Sequence, residues 1–163
     1  MGVLRVYVET SVWSFVLADD VPDYRLHTLE FLARCRAGRI EPFVSPVVLE
    51  ELDRAEPHLR DRLIQLVREL EPTVVEFDRR AEELAEAFVR ERVVPASKPE
   101  DARHVAAAFV AELDVLVSWN FRHIASVRRA DRFNAVALLQ GFYKPLRIVS
   151  PPEVIYDDST DAP

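Results

Sequence analysis

Three carboxylates and an amide stand at the ends or edges of separate apolar segments of this chain. Glu9 follows Val3-Leu4-Arg5-Val6-Tyr7-Val8, Glu51 lies in Ser45-Pro46-Val47-Val48-Leu49-Glu50-Glu51-Leu52, Asp101 opens an alanine-rich stretch, and Asn120 follows Val115-Leu116-Val117-Ser118. In an open α/β sheet, ligands bind beyond the carboxyl ends of the strands, so polar groups leaving separate segments there can meet in one pocket. Carboxylates gathered without cations repel, and such a pocket calls for a divalent metal.

Each residue also has a structural explanation when taken singly. Glu50 precedes Arg54 by one helical turn and can pair with it on a solvated face. Glu51 instead projects between Val47 and Ala55, at the edge of the apolar stripe of Val48, Leu52 and Ala55, where a carboxylate needs a cation, hydrogen bonds, a cleft or a route to water. Asp101 falls in a first helical turn, where the macrodipole alone stabilises it. His104 shares the face of Asp101 and is either a hydrogen-bonded histidine or a ligand. Asn120 is either a turn residue or part of a site. Glu9 has the strongest case, because an acid placed directly after a doubly buried strand and before Thr10-Ser11 has little structural purpose beyond facing water.

Positioning these groups requires alternating strands and helices. Residues 3–8 read as a central strand covered on both faces, with Thr10 and Ser11 capping a short helix through Phe15 and Leu17. Asp23 is expected to cap an amphipathic helix that buries Leu26, Leu29, Leu32 and Ala33 and stops at Gly38. A short strand at residues 42–44 leads to Ser45-Pro46, an N-cap followed by proline at the first helical position. Leu59, Leu63, Leu66, Val67 and Leu70 mark the next helix, residues 73–77 a strand, and Asp78 the cap of a helix over residues 79–92. Ser97 and Glu100 have capping-box spacing before a helix over residues 101–113. Residues 115–118 and 146–149 read as further strands, with a helix around residues 133–140 between them. The pattern predicts a single-domain three-layer α/β/α fold over residues 1–156, with a mostly parallel central sheet of about five strands. Residues 157–163 read as a short acidic flexible tail.

Composition narrows the function. The chain of 163 residues is 49% hydrophobic and 30% charged, as in a globular protein. It lacks both an apolar run of about 18 residues and a leader pattern, and its lone Cys35 cannot form an intramolecular disulfide. No membrane and a cytoplasmic location are therefore expected. A net charge of −7 argues against non-specific attraction to a polyanion, so any nucleic acid must be met locally. Arg122, His123, Arg128, Arg129 and Arg132 form the obvious basic cluster, either a solvated surface or a set of phosphate contacts. With only three glycines there is no Gly-rich phosphate loop, and no serine is flanked like a hydrolase nucleophile.

The ordered segments resemble the PIN domain family, metal-dependent ribonucleases that include VapC-type toxins. The resemblance is carried by Val6-Tyr7-Val8-Glu9-Thr10-Ser11-Val12, by the segment around Glu51, by Asp101-Ala102-Arg103-His104-Val105-Ala106, and by Val117-Ser118-Trp119-Asn120-Phe121-Arg122-His123. Asn134 and Gly141-Phe142-Tyr143-Lys144-Pro145-Leu146-Arg147-Ile148-Val149-Ser150-Pro151 resemble its closing segment. Glu9 and Asn120 stand where the family usually has aspartates, which marks a Glu-Thr-Ser and Trp-Asn variant. The resemblance implies a PIN-like fold and an endoribonuclease that is the toxin of a type II toxin-antitoxin pair. It implies a homodimer restrained by a VapB-like antitoxin. Glu9, Glu51 and Asp101 would hold Mg²⁺ or Mn²⁺, with Asn120 completing the catalytic set and Thr10, Ser11, His104 and Ser118 supporting it. Arg122, Arg128 and Arg129 would contact single-stranded or structured RNA. The competing expectation is a non-catalytic module of the same fold, whose acidic cleft receives a basic partner segment.

Overall fold

The computed structural model describes residues 2–160, with side chains described as far as residue 155. Among these, five strands form one sheet: β1 (Leu4–Val8), β2 (Ile40–Val44), β3 (Thr73–Val74), β4 (Val115–Val117) and β5 (Arg147–Val149). Their order is β3-β2-β1-β4-β5 and every neighbouring pair is parallel. The helices are α1 (Thr10–Phe15), α2 (Pro22–Arg36), α3 (Pro46–Asp53), α4 (Pro57–Leu70), α5 (Arg79–Arg90), α6 (Pro99–Val110), α7 (Val127–Leu139) and α8 (Pro151–Thr160). α1, α2, α4 and α8 pack together, as do α5, α6 and α7, giving the expected three layers, while α3 touches α1, α4 and α6.

β1 is central, as its apolar pattern requires: Val6, Tyr7 and Val8 are completely buried, and only a strand with neighbours on both edges and helices on both faces can be. From β1 the chain winds outward to β2 and β3, then returns to lay β4 on the other side of β1 and continues to β5. The direction of winding therefore reverses between β1 and β4, and a crevice opens there at the carboxyl ends of the strands. The ladder runs level at that end, with Glu9 N donating to Val117 O at 3.1 Å and Ser118 N donating to Val149 O at 3.0 Å.

Several local expectations are corrected. Glu9 itself caps α1 by accepting from Ser11 N, so Thr10 and Ser11 lie inside the helix instead of capping it. Asp23 does not cap α2, which starts at Pro22. Its buried face is Thr28, Phe31, Leu32 and Cys35, whereas Leu26 is exposed, because contact with α1 and α8 rotates the helix away from the simplest leucine stripe. β3 spans two residues. The capping box at Ser97 does not form: Lys98 is the cap residue without a side-chain bond, and Glu100 lies 3.6 Å from Arg54. α6 ends three residues early because Glu112 turns into a left-handed conformation (φ 54°) and Leu113 N reaches back to Ala108 O. α7 begins at Val127 under a cap from Ser126, where exposed Val127 and Arg128 give no apolar period to read.

α8 runs past the expected end of the domain at residue 156 into the stretch expected as an acidic flexible tail, residues 157–163. Its backbone is helical through residue 160, and residues 161–163 lie outside the described residues. Its start had a readable signal, since Ser150 and Glu153 have capping-box spacing and Ser150 N donates to Glu153 Oε2 at 2.9 Å. Asn134 ties α7 to the approach of β5, donating to Leu146 O and accepting from Leu146 N, both at 2.9 Å. Among the described residues no helix is long and apolar enough to cross a membrane.

Candidate functional site

The crevice between β1 and β4 gathers three carboxylates and an amide from four places in the fold. Glu9 ends β1, Glu51 lies in the second turn of α3, Asp101 is in the first turn of α6 and Asn120 follows β4. Proline at the first helical position starts both α3 and α6, which places Glu51 and Asp101 at fixed offsets from the sheet edge. The small side chains Ala102, Ala106, Ala107 and Ala108 bury α6 deeply, and His104, one turn beyond Asp101, is carried completely inside.

Glu9 is only 5% exposed and is held by three donors. Ser11 Oγ donates to its Oε1 at 2.7 Å and Ser118 Oγ at 2.5 Å, while Ser11 N donates to Oε2 at 3.0 Å. The two hydroxyls are anchored in turn, because Trp119 N donates to Ser11 Oγ and Asn120 N to Ser118 Oγ, both at 2.9 Å. On the other side, Thr10 Oγ1 donates to Glu51 Oε1 at 3.0 Å, and the same carboxylate oxygen hydrogen-bonds His104 Nε2. Glu9 Oε2 lies 3.9 Å from that imidazole nitrogen.

Behind the site runs a buried polar chain that sequence reasoning missed. His104 Nδ1 shares a 2.7 Å hydrogen bond with the Tyr7 hydroxyl, which shares another of 2.7 Å with Ser45 Oγ. Ser45 Oγ also accepts from Val47 N as the cap of α3. A clue was present in the chain: a tyrosine in the middle of a doubly buried strand needs a partner for its hydroxyl. Burial holds the Tyr7 phenol well above its ordinary pKa, with Ser45 opposing and Glu9 and Glu51 adding to the rise. It therefore stays a neutral group that both donates and accepts.

The charges explain the protonation of the cluster. Burial opposes a charged His104, but its hydrogen bond to Glu51 and the fields of Glu9, Glu51 and Asp101 outweigh it and raise the imidazole pKa. Burial would raise Glu51, yet His104, Thr10 and Arg54 together lower it. Asp101 has no such partner. Burial and the charge of Glu9 push it up to about 6, with Glu51 adding and His104 and an Asn120 hydrogen bond opposing.

A carboxylate with a raised folded pKa destabilises the protein when ionised. That penalty is absent below the ordinary aspartate value and complete above about 6. Replacing Asp101 by Asn is therefore expected to stabilise the metal-free protein at pH 8. The full shift is worth nearly ~3 kcal/mol, and solvent screening of this half-buried group reduces it to about 1–2 kcal/mol. Thermal unfolding in chelator at pH 8 and pH 4 checks this: the variant should melt higher at pH 8, and the two curves should converge at pH 4.

The residues present fit a divalent cation. One ligand atom each from Glu9, Glu51 and His104 lie within 4.8 Å of one another, a spread that ligand bonds of roughly 2.0–2.2 Å close with small side-chain shifts. The buried carboxylates outnumber their basic partners, and a cation removes the repulsion that raises Asp101. His104, read as a supporting residue, offers a candidate ligand atom beside Glu51, while Asp101, expected among the ligands, lines the same site and is hydrogen-bonded by Asn120. Carboxylates with an imidazole suit Mn²⁺ better than Mg²⁺, which prefers oxygen ligands alone.

The basic residues divide. Arg122 is exposed beside His123, whose backbone N donates to Asn120 Oδ1 at 3.0 Å. Arg129 is half-buried and bonds Val93 O, and Arg128 is exposed on α7. A separate groove of about 420 Å³ between α3 and α4, lined by Leu49, Leu52, Ile64 and Val67 among others, holds none of the clustered acids. No protein-family model matches the chain, and no curated protein matches it.

Proposed function

We propose that this chain is a metal-dependent endoribonuclease of the PIN domain, VapC-type family, acting in the cytoplasm as the toxin of a type II toxin-antitoxin pair. The observation that carries this reading is the convergence of Glu9, Glu51, Asp101 and Asn120, from four segments spread over the chain, at the crevice where the sheet reverses its winding. Phosphodiester hydrolysis at such a cluster requires a cation, and the reading takes Glu9, Glu51 and His104 Nε2 as its nearest donors with Asp101 beside them. The ion, Mn²⁺ or Mg²⁺, would neutralise charge on the scissile phosphate and lower the pKa of water.

The chain's own groups do the rest. Ser11 and Ser118 hold Glu9 in one rotamer, and Thr10 and His104 hold Glu51. Asn120 orients the Asp101 carboxylate, which then accepts a hydrogen bond from the attacking water and aligns it with the phosphorus. A net charge of −7 keeps long-range attraction for RNA low and leaves capture to local contacts from Arg122 and its neighbours. A VapB-like antitoxin would restrain the enzyme by placing a basic side chain in the acidic cleft of a homodimer.

The second reading, a non-catalytic module, is favoured by the three internal donors that already engage Glu9. Incubating the purified full chain with RNA in Mn²⁺, Mg²⁺ or chelator separates the two. Cleavage in a metal and none in chelator supports the nuclease. Intact RNA in all three, with tight capture of an arginine-rich peptide, supports the module.

A further inference from the structure

The turn that carries Asn120 also carries two aromatic residues, and four rings meet around it. Trp119 lies 4.5 Å from Tyr24, 5.8 Å from Phe15 and 6.0 Å from Phe121 between ring centroids, and Phe15 lies 5.8 Å from Tyr24. Trp119 is the fixed centre: it is only 6% exposed, its Nε1 donates to Thr28 Oγ1 at 2.8 Å, and its backbone N is held by Ser11 Oγ. The outer rings face water, Tyr24 at 41% exposed and Phe121 at 46%. Gathering half-exposed aromatics on a rigid support gives up the burial that would stabilise them, unless a ligand covers them.

The cluster is continuous with the acidic crevice. The Ser11 hydroxyl that receives Trp119 N donates directly to Glu9. Asn120, between Trp119 and Phe121, hydrogen-bonds Asp101. Past Phe121 the chain turns basic: exposed Arg122 comes next, and His123, whose backbone N donates to Asn120 Oδ1 at 3.0 Å, feels the charges of Arg129, Arg122 and Lys98. Aromatic faces, carboxylates that call for a cation, and a basic flank thus follow one another along the Ser118–His123 turn. An unpaired nucleic-acid strand has the matching sequence of features, flat bases alternating with anionic phosphates, whereas a duplex closes its base faces by stacking.

We propose that Tyr24 and Phe121, set against the buried Trp119, form a stacking platform for an unpaired base of single-stranded RNA, adjoining the phosphate held at the acidic crevice. The assignment rests on the nuclease reading for the identity of the strand, while the platform itself is tested by binding. The full chain in chelator is titrated into a single-stranded RNA bearing 2-aminopurine, into the same RNA as a duplex, and into single-stranded DNA of the same sequence. Single-stranded RNA should bind with quenching of the 2-aminopurine, and Phe121→Ala should weaken binding by about 5- to 150-fold, the range for loss of one base–aromatic stack. Tyr24→Ala should weaken it similarly, and Phe121→Trp should restore it. Both rings are half-exposed, so the melting temperatures should barely move. Unchanged binding by both alanine variants, or equal binding of the duplex, overturns the platform, and preference for DNA overturns the RNA assignment. Metal-dependent RNA cleavage by variants that bind normally keeps the nuclease and removes the platform. Quenching that depends on Phe121 in a protein that cleaves nothing does the reverse.

Discussion

Glu51→Gln is expected to lower RNA hydrolysis by about 10²- to 10³-fold, the usual loss when a fixed electrostatic contact to a transition state is removed. Glutamine keeps the shape of the side chain and its hydrogen bond from Thr10, so packing changes little, but the charge that offsets both His104 and a bound cation is gone. The measurement is kcat/KM on an RNA substrate at saturating Mn²⁺, together with the rise in Tm that Mn²⁺ produces. The wild type should gain stability from the ion and the variant should gain far less. Unaltered cleavage would remove Glu51 from the mechanism. The same substitution has a pH signature without metal. Glu51 is lowered, so its stabilising pair exists above the ordinary glutamate value and fades as pH falls through its folded pKa. His104 is raised, so its share is complete below the ordinary imidazole value and fades as pH rises through its folded pKa. The stability lost in the variant should therefore be greatest between about pH 4.5 and 6.5.

Tyr7→Phe should reduce metal affinity and activity by about 10- to 100-fold although Tyr7 is given no contact with RNA, because outer partners that orient a ligating imidazole carry effects of that size. The phenol bonds the far nitrogen of His104, so it sets which nitrogen carries the proton and which way Nε2 faces. Phenylalanine also strands His104 Nδ1 in a fully buried region, at a cost of about 1–3 kcal/mol, and leaves Ser45 Oγ with its bond from Val47 N. Two readouts separate positioning from simple damage. Mn²⁺ affinity measured by titration well below Tm should fall, and excess Mn²⁺ should recover most of the lost rate. A variant that loses stability but binds Mn²⁺ as tightly as the wild type would reduce Tyr7 to a packing residue.

The aromatic cluster and the Glu9 carboxylate meet at the same place for one reason: both hang on the short turn after β4 and on the end of β1. Ser11 and Ser118 connect Glu9 to the backbone of Trp119 and Asn120, so a shift of that turn moves the carboxylate and the rings together. A base stacked on these rings would be coupled to the acid cluster through this shared support.

Much of this protein is legible in the order of its residues. A strand apolar on both faces must be interior, and β1 is the middle strand. Ser45-Pro46 and Asp78 announce the starts of α3 and α5, and both side chains cap as expected. Glu9, Glu51, Asp101 and Asn120 could be singled out because each breaks the apolar logic of its own segment, a local property that needs no neighbour. What depended on tertiary structure is whatever joins distant segments. The bond of Tyr7 to Ser45 spans 38 residues, that of Glu51 to His104 spans 53, and that of Tyr7 to His104 spans 97. Hydrophobic periodicity tells which side of an element is buried, but strand order and register decide which buried group lies opposite it. For that reason His104 read only as a supporting residue beside Asp101, and Tyr7 as plain core, until the sheet set β1 against α3 and α6. Trp119 and the three rings around it were scattered in the same way, and only the placement of β4 beside β1 brought them together.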